Sequence, residues 1–303
     1  MPRNHEFPSA LYEYLLHQVP PAQLQVFLTM HYADIVPQLP GLGVPAAQYA
    51  FDVVRSLQQF GCIDDLLFLK LRDLRPRDPD VRTVAVTVLG RDPFPPGGAE
   101  AVAGRGDAPR RAVLLVLMAC PEDQVQLDLA REAALLTDVL APVRDHLQLV
   151  FGWSVSAADV LDLITDHEPA WLHFAGHGGR DGTLLLVGAE GSTHRVRYDA
   201  LARFFGALRR PPRCVVLNNC FSGAATTPLT AHVDAVVGMR KEVSDEAAMA
   251  FSRRFYRELG RGRDLEEAFQ LARAGLGTLE PPADELPQLS PKAGTDPRRL
   301  RIA

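Results

Sequence analysis

The chain has 303 residues, 47% of them hydrophobic, with a formal net charge of −5. That is enough apolar material for one or two domains with proper cores, and the charge gives no general pull toward nucleic acid or acidic membranes. No stretch reaches the roughly 20 apolar residues of a membrane span and the N-terminus lacks an apolar signal region, so a cytoplasmic protein engaging neither nucleic acid nor membrane is expected.

The first 78 residues read as helices joined by proline-containing turns. Ala47, Ala50, Val54 and Leu57 recur at helical steps, as do Ile63, Leu66, Leu67, Leu71 and Leu74. The turns at "VPPAQ", "LPGLGVP" and "FGCID" fold these into a small bundle, which "DLRPRDP" closes. The segment "VRTVAVTVL" then alternates Val84, Val86 and Val88 and is expected as a strand. After it, "GRDPFPPGGAEAVAGRGDAPRR" has no apolar period and reads as a linker. The expected division is therefore a helical domain over 1–80, a linker over 81–111, a larger domain over 112–282 and a tail over 283–303.

From Ala112 strands alternate with helices. "AVLLVLMA", "LQLVFGW", "AWLHFAG", "RCVVLNNC" and "DAVVGM" are short apolar runs of the kind buried on both faces of a parallel sheet. "GTLLLVG" and "HRVRY" are expected as a hairpin or extra edge strands. Between these runs lie helical periods, including "SAADVLDLITDHE" with Ser156 as N-cap and Asp159 three residues on. The pattern is an α/β fold with a mostly parallel sheet flanked by helices, whose reactive groups gather beyond the carboxyl ends of the strands.

Two such ends carry chemistry. "WLHFAGHGGRDG" sets His177 between Gly176 and Gly178, and "RCVVLNNC" ends at Cys220. A free thiol titrates near 8.5 and an imidazole near 6.5, so the two within reach of one another make a nucleophile and its base. Glycines after the strand permit a tight turn and leave the Gly178 N–H free for an oxyanion. The remaining cysteines, Cys62, Cys120 and Cys214, form no CxxC pair, so neither a disulfide framework nor a cysteine zinc site is indicated. His173 and His177 have HxxxH spacing, but four residues of strand span about 13 Å, too far for one metal. No metal and no cofactor are expected.

"LHFAGHGG", then "LNNCFSG", "VVGM" and "AAMAFSRRFYRELGRGRDLEEAFQLAR" resemble the CHAT domain, a caspase-like cysteine peptidase module, over about Ala112 to Leu279. The resemblance implies a caspase-hemoglobinase fold, peptide bond hydrolysis in a protein substrate, His177 as general base, Cys220 as nucleophile, and an oxyanion hole from the Gly178 and Cys220 amides. It also implies that Asn218, two before the cysteine, helps line the pocket for the substrate side chain. The sequence departs from the caspase pattern Q-A-C-[RQG]-G, since "NNCFSG" stands there and Asn218 is uncharged. Asp181, Glu190, Asp199 and Asp245 follow the motifs closely enough to reach a substrate, with Asp181 and Asp245 the candidates.

The helical segment, about Pro8 to Asp80, resembles the effector-associated, death-like domains attached to bacterial conflict-system effectors, on its "QQFGCIDDLLFLKLRDLRPRDP" tail. That implies a sensor or adaptor protein carrying a matching death-like domain as partner, and an effector in a defence or programmed-death pathway. The alternative from another class is a catalytically inactive adaptor whose CHAT-like domain only binds partners.

Overall fold

The computed structural model describes residues 7–32, 34–74, 80–94, 111–279 and 283–303. The chain divides into two compact units, Met1–Ala108 and Pro109–Ala303. Most of the expected linker and part of the "DLRPRDP" turn lie outside the described residues.

Among the described residues of the first unit, five helices, α1 (Ser9–Gln18), α2 (Pro21–His31), α3 (Ala46–Gln59), α4 (Asp65–Leu74) and α5 (Asp80–Leu89), surround a core of their own. Prolines mark the starts: Pro21 opens α2 and Pro45 immediately precedes α3, positions where a missing N–H costs nothing. The Asp64 carboxylate accepts the Leu67 N–H at 2.9 Å, capping the first turn of α4. Of the expected core positions, Ala50, Val54, Leu57, Leu67 and Leu71 are buried, whereas Leu66 is 52% exposed.

The expected strand over 81–89 is helix α5. Val81 and Ala85 are buried, with Val84 and Val88 packed against the same core, a three- and four-residue spacing that overrides the β preference of alternating valines. The helical unit thus runs past residue 80, through α5 to the buried Phe94.

The second unit is an α/β structure around a six-stranded sheet. In chain order it comprises β1 (Ala112–Ala119), α6 (Leu129–Leu140), β2 (Leu147–Gly152), α7 (Ala157–His167), β3 (Trp171–Gly176), β4 (Gly178–Gly179), β5 (Thr183–Val187), β6 (Thr193–Arg197), α8 (Tyr198–Ala207), β7 (Cys214–Asn218), α9 (Thr226–Leu229), β8 (Ala235–Met239), α10 (Asp245–Gly260), α11 (Leu265–Leu279) and β9 (Pro287–Pro291). The sheet order is β2-β1-β3-β7-β8-β9, parallel except for the antiparallel edge strand β9. β4, β5 and β6 form a separate antiparallel sheet, with the "GTLLLVG" and "HRVRY" segments as its hairpin. The expected tail supplies β9, and its Leu300 and Ile302 are buried, so residues 283–303 are part of this unit.

Alternation along the strands sets the two faces. Leu115, Leu117, Leu172, Phe174, Val215 and Leu217 pack with Ile164 of α7 and Leu201 and Phe205 of α8. On the other face, His173 of β3 reaches Tyr256 of α10 and Glu132 of α6. The capping box at Ser156 and Asp159 closes with both reciprocal bonds, starting α7 where the sequence places it.

Candidate active site

The register of β3 and β7 brings the two motifs together. Ala175 pairs with Asn218, so His177 and Cys220 each lie two residues beyond a matched position on adjacent parallel strands, which run about 4.8 Å apart. Both side chains line one cavity of about 350 Å³ at the carboxyl edge of the sheet. Its walls come from the segment after β1, the ends of β3 and β7, and the starts of α6 and α10.

The imidazole is oriented by the backbone. His177 Nε2 lies 2.7 Å from the Val125 carbonyl oxygen, and a carbonyl only accepts, so Nε2 carries the hydrogen. Nδ1 is then the basic nitrogen. Cys220 Sγ lies 3.5 Å from the Val243 N–H and 3.7 Å from the Val243 carbonyl oxygen, which holds the thiol against the segment leading into α10. After Cys220 the chain turns sharply: Phe221 adopts φ 57°, a left-handed conformation that costs a non-glycine residue about 1 kcal/mol or more. Ser222 closes the turn, donating toward the Leu217 and Asn219 carbonyls and accepting the Met239 N–H at 2.7 Å.

Gly178 sits directly against this turn. A Cβ on it would collide with the Cys220 carbonyl oxygen, so no other residue allows the approach. The Leu185 N–H donates to the His177 carbonyl at 3.1 Å, and Gly178 is opposite Leu184, so Gly178 occupies a non-hydrogen-bonded pair of the β4–β5 ladder. Its own N–H therefore points away from β5.

Beneath the cavity lies a buried polar network. Glu132 Oε1 accepts from Asn218 Nδ2 at 2.6 Å and Ser252 Oγ at 3.3 Å, and His173 Nε2 lies 3.1 Å from the same oxygen. His173 Nδ1 is 2.9 Å from the Tyr256 hydroxyl, whose pKa burial pushes well above 10. Both ring nitrogens of His173 are thus engaged by protein groups.

Asp245 lines the cavity, but Asp181, Glu190 and Asp199 are not among its lining residues. Asp181 instead accepts from Thr183 Oγ1 at 2.7 Å and pairs with Arg195, held in the β4–β5 turn by its own sheet. Asp199 is taken up by Arg197 and Arg203. Sequence reasoning missed Val125, which acts through a main-chain oxygen no motif records, and Glu132, whose helical position gives no sign that it points inward.

The family model for the CHAT domain matches residues 98–293. The Roc-COR-CHAT protease of an unknown prokaryotic organism is 23% identical over 180 residues, 56% of this chain. The chain spans only 17% of that relative's length. Among solved structures, the Arg-specific cysteine proteinase gingipain R gives a TM-score of 0.46 at 10% identity, over 62% of this chain and 47% of that one. The Drosophila initiator caspase Dronc gives 0.44 at 9% identity, over 68% and 91%. With its family match covering well over half the sequence, the chain belongs to the CHAT domain family.

Proposed function

We propose that the protein is a caspase-like cysteine endopeptidase that hydrolyses peptide bonds in a protein substrate. The observation that carries this reading is the shared cavity of His177 and Cys220, with the imidazole tautomer set by the Val125 carbonyl. In this mechanism His177 Nδ1 takes the Cys220 proton as sulfur attacks the substrate carbonyl carbon. The Gly178 and Cys220 N–H groups receive the oxyanion. Collapse breaks the C–N bond, and the imidazolium returns its proton to the departing amine. Water, deprotonated by the same imidazole, then cleaves the thioester and restores the thiol. A relative that carries the name protease supports the same reaction class.

The helical unit acts in recruitment, as a death-like domain over residues 8–80 docking on a sensor or adaptor of matching fold in a bacterial defence or programmed-death pathway. Its support is a core separate from that of the second unit, with Phe60 and Leu66 left exposed. The direct test is cleavage of a fluorogenic peptide library by the full chain and by Cys220→Ala and His177→Ala variants. Both changes are expected to abolish turnover. Activity surviving Cys220→Ala removes the assignment, and an inactive parent whose Cys220 alkylates no faster than Cys62 favours an adaptor.

A further inference from the structure

The cavity beside the thiol is lined by carboxylates and by acceptor atoms. Asp128, Glu132 and Asp245 all contribute to its wall, and among the described residues no lysine or arginine does. A fourth carboxylate there, Glu242, is taken up at the surface by Arg180 at 3.2 Å. Asp128 caps α6 through the Arg131 N–H, and Asp245 stands in the first turn of α10; neither use brings a cation to the cavity.

A second observation is independent of these charges. Asn218 is 6% exposed and lines the cavity, and its Oδ1 has no hydrogen-bond partner among the described residues. Its orientation is fixed, because Glu132 Oε1 accepts from Nδ2 and the oxygen is therefore the atom left over. Asn219, 2% exposed and in the same wall, likewise has an unpartnered Oδ1 while its Nδ2 donates to Tyr198. A buried acceptor without a donor costs about 1–3 kcal/mol. Two buried acceptors in the cavity wall thus lack donors, and among the described residues that wall carries carboxylates without lysine or arginine.

We propose that this cavity is the P1 pocket and takes a cationic side chain, arginine or lysine, held by Glu132, Asp128 and Asp245 and donating to the Asn218 Oδ1. The inference rests on the peptidase reading above. It follows from position: the side chain next to the attacked carbonyl enters the cavity that holds the sulfur. A guanidinium brings up to five donors and an ammonium three, each with the charge the wall lacks. An aspartate would set carboxylate against carboxylate, and a leucine would leave every acceptor unanswered.

The test uses the full chain and two probe sets differing only at P1, with Arg, Lys, Asp, Asn or Leu. One set is fluorogenic peptides; the other is peptidyl chloromethyl ketones, with adducts at Cys220 read by mass spectrometry. The expected result is at least tenfold higher kcat/KM, and faster Cys220 labelling, with Arg or Lys. In D245N and D128N, where asparagine still suits a helix start, KM for the basic peptides is expected to rise several-fold and the P1 preference to shrink. Cleavage that requires Cys220 but favours Asp, Asn or Leu overturns the pocket assignment and leaves the peptidase reading intact. Basic preference unmoved in both variants overturns the role given to Asp128 and Asp245. Preferential Cys220 labelling by the basic ketone without turnover supports the pocket. Neither turnover nor labelling by any probe removes the peptidase reading and this inference with it.

Discussion

At the scale of single residues, the site depends on close approach more than on composition. Gly178 has no room for a Cβ against the Cys220 carbonyl, so Gly178→Ala must displace either the turn that carries the sulfur or the amide aimed away from β5. Loss of one oxyanion donor typically costs about 10²–10³ in rate. Gly178→Ala is expected to lower kcat by about that factor with circular dichroism unchanged, and near-parental kcat would show that this amide has no part in the chemistry. Ser222, fully buried, bonds to β7 and β8 through one hydroxyl. Ser222→Ala leaves the Met239 N–H without that acceptor and is expected to destabilise the protein by about 1–3 kcal/mol in urea titration.

At the scale of elements, the parallel strands and the register argument explain why two short motifs meet. "AWLHFAG" and "RCVVLNNC" were legible as strands because they are buried on both faces, and β3 and β7 prove to be neighbours with Ala175 opposite Asn218. His177 and Cys220 were legible because each closes such a run. β9 was not: Pro287 and Pro291 bound it, and proline is tolerated there only because the strand is an edge whose pairing with β8 is set by tertiary structure. α5 was misread because its valines satisfy a period of two as well as a helical face, and only the core against which Val81 and Ala85 pack decides between them. Glu132 shows a further limit, since burial of one carboxylate on α6 depends on partners from β3, β7 and α10. Glu132→Ala leaves those donors unsatisfied and is expected to cost about 2–4 kcal/mol, measured as a fall in the denaturant midpoint. Glu132→Gln is expected to cost less, because the amide oxygen still accepts.

At the scale of the whole molecule, the chain holds two separate cores. The second unit contains every described residue of the cavity and every described strand of both sheets, so the proposed hydrolysis requires only residues 109–303. A chain of residues 109–303 is expected to fold and to cleave short peptides within about twofold of the full chain, while losing delivery to a protein target. Failure of that fragment to fold would show that the helical unit is needed for stability.

The central claim is that His177 and Cys220 work as one unit, and their coupling is best read on the sulfur itself. The rate of iodoacetamide alkylation at Cys220, followed by mass spectrometry at neutral pH with Cys62 and Cys120 as internal references, is to be compared between the parent and His177→Ala. A base that withdraws the thiol proton predicts at least a tenfold fall at Cys220 with the reference cysteines unchanged. An unchanged Cys220 rate would contradict the pairing.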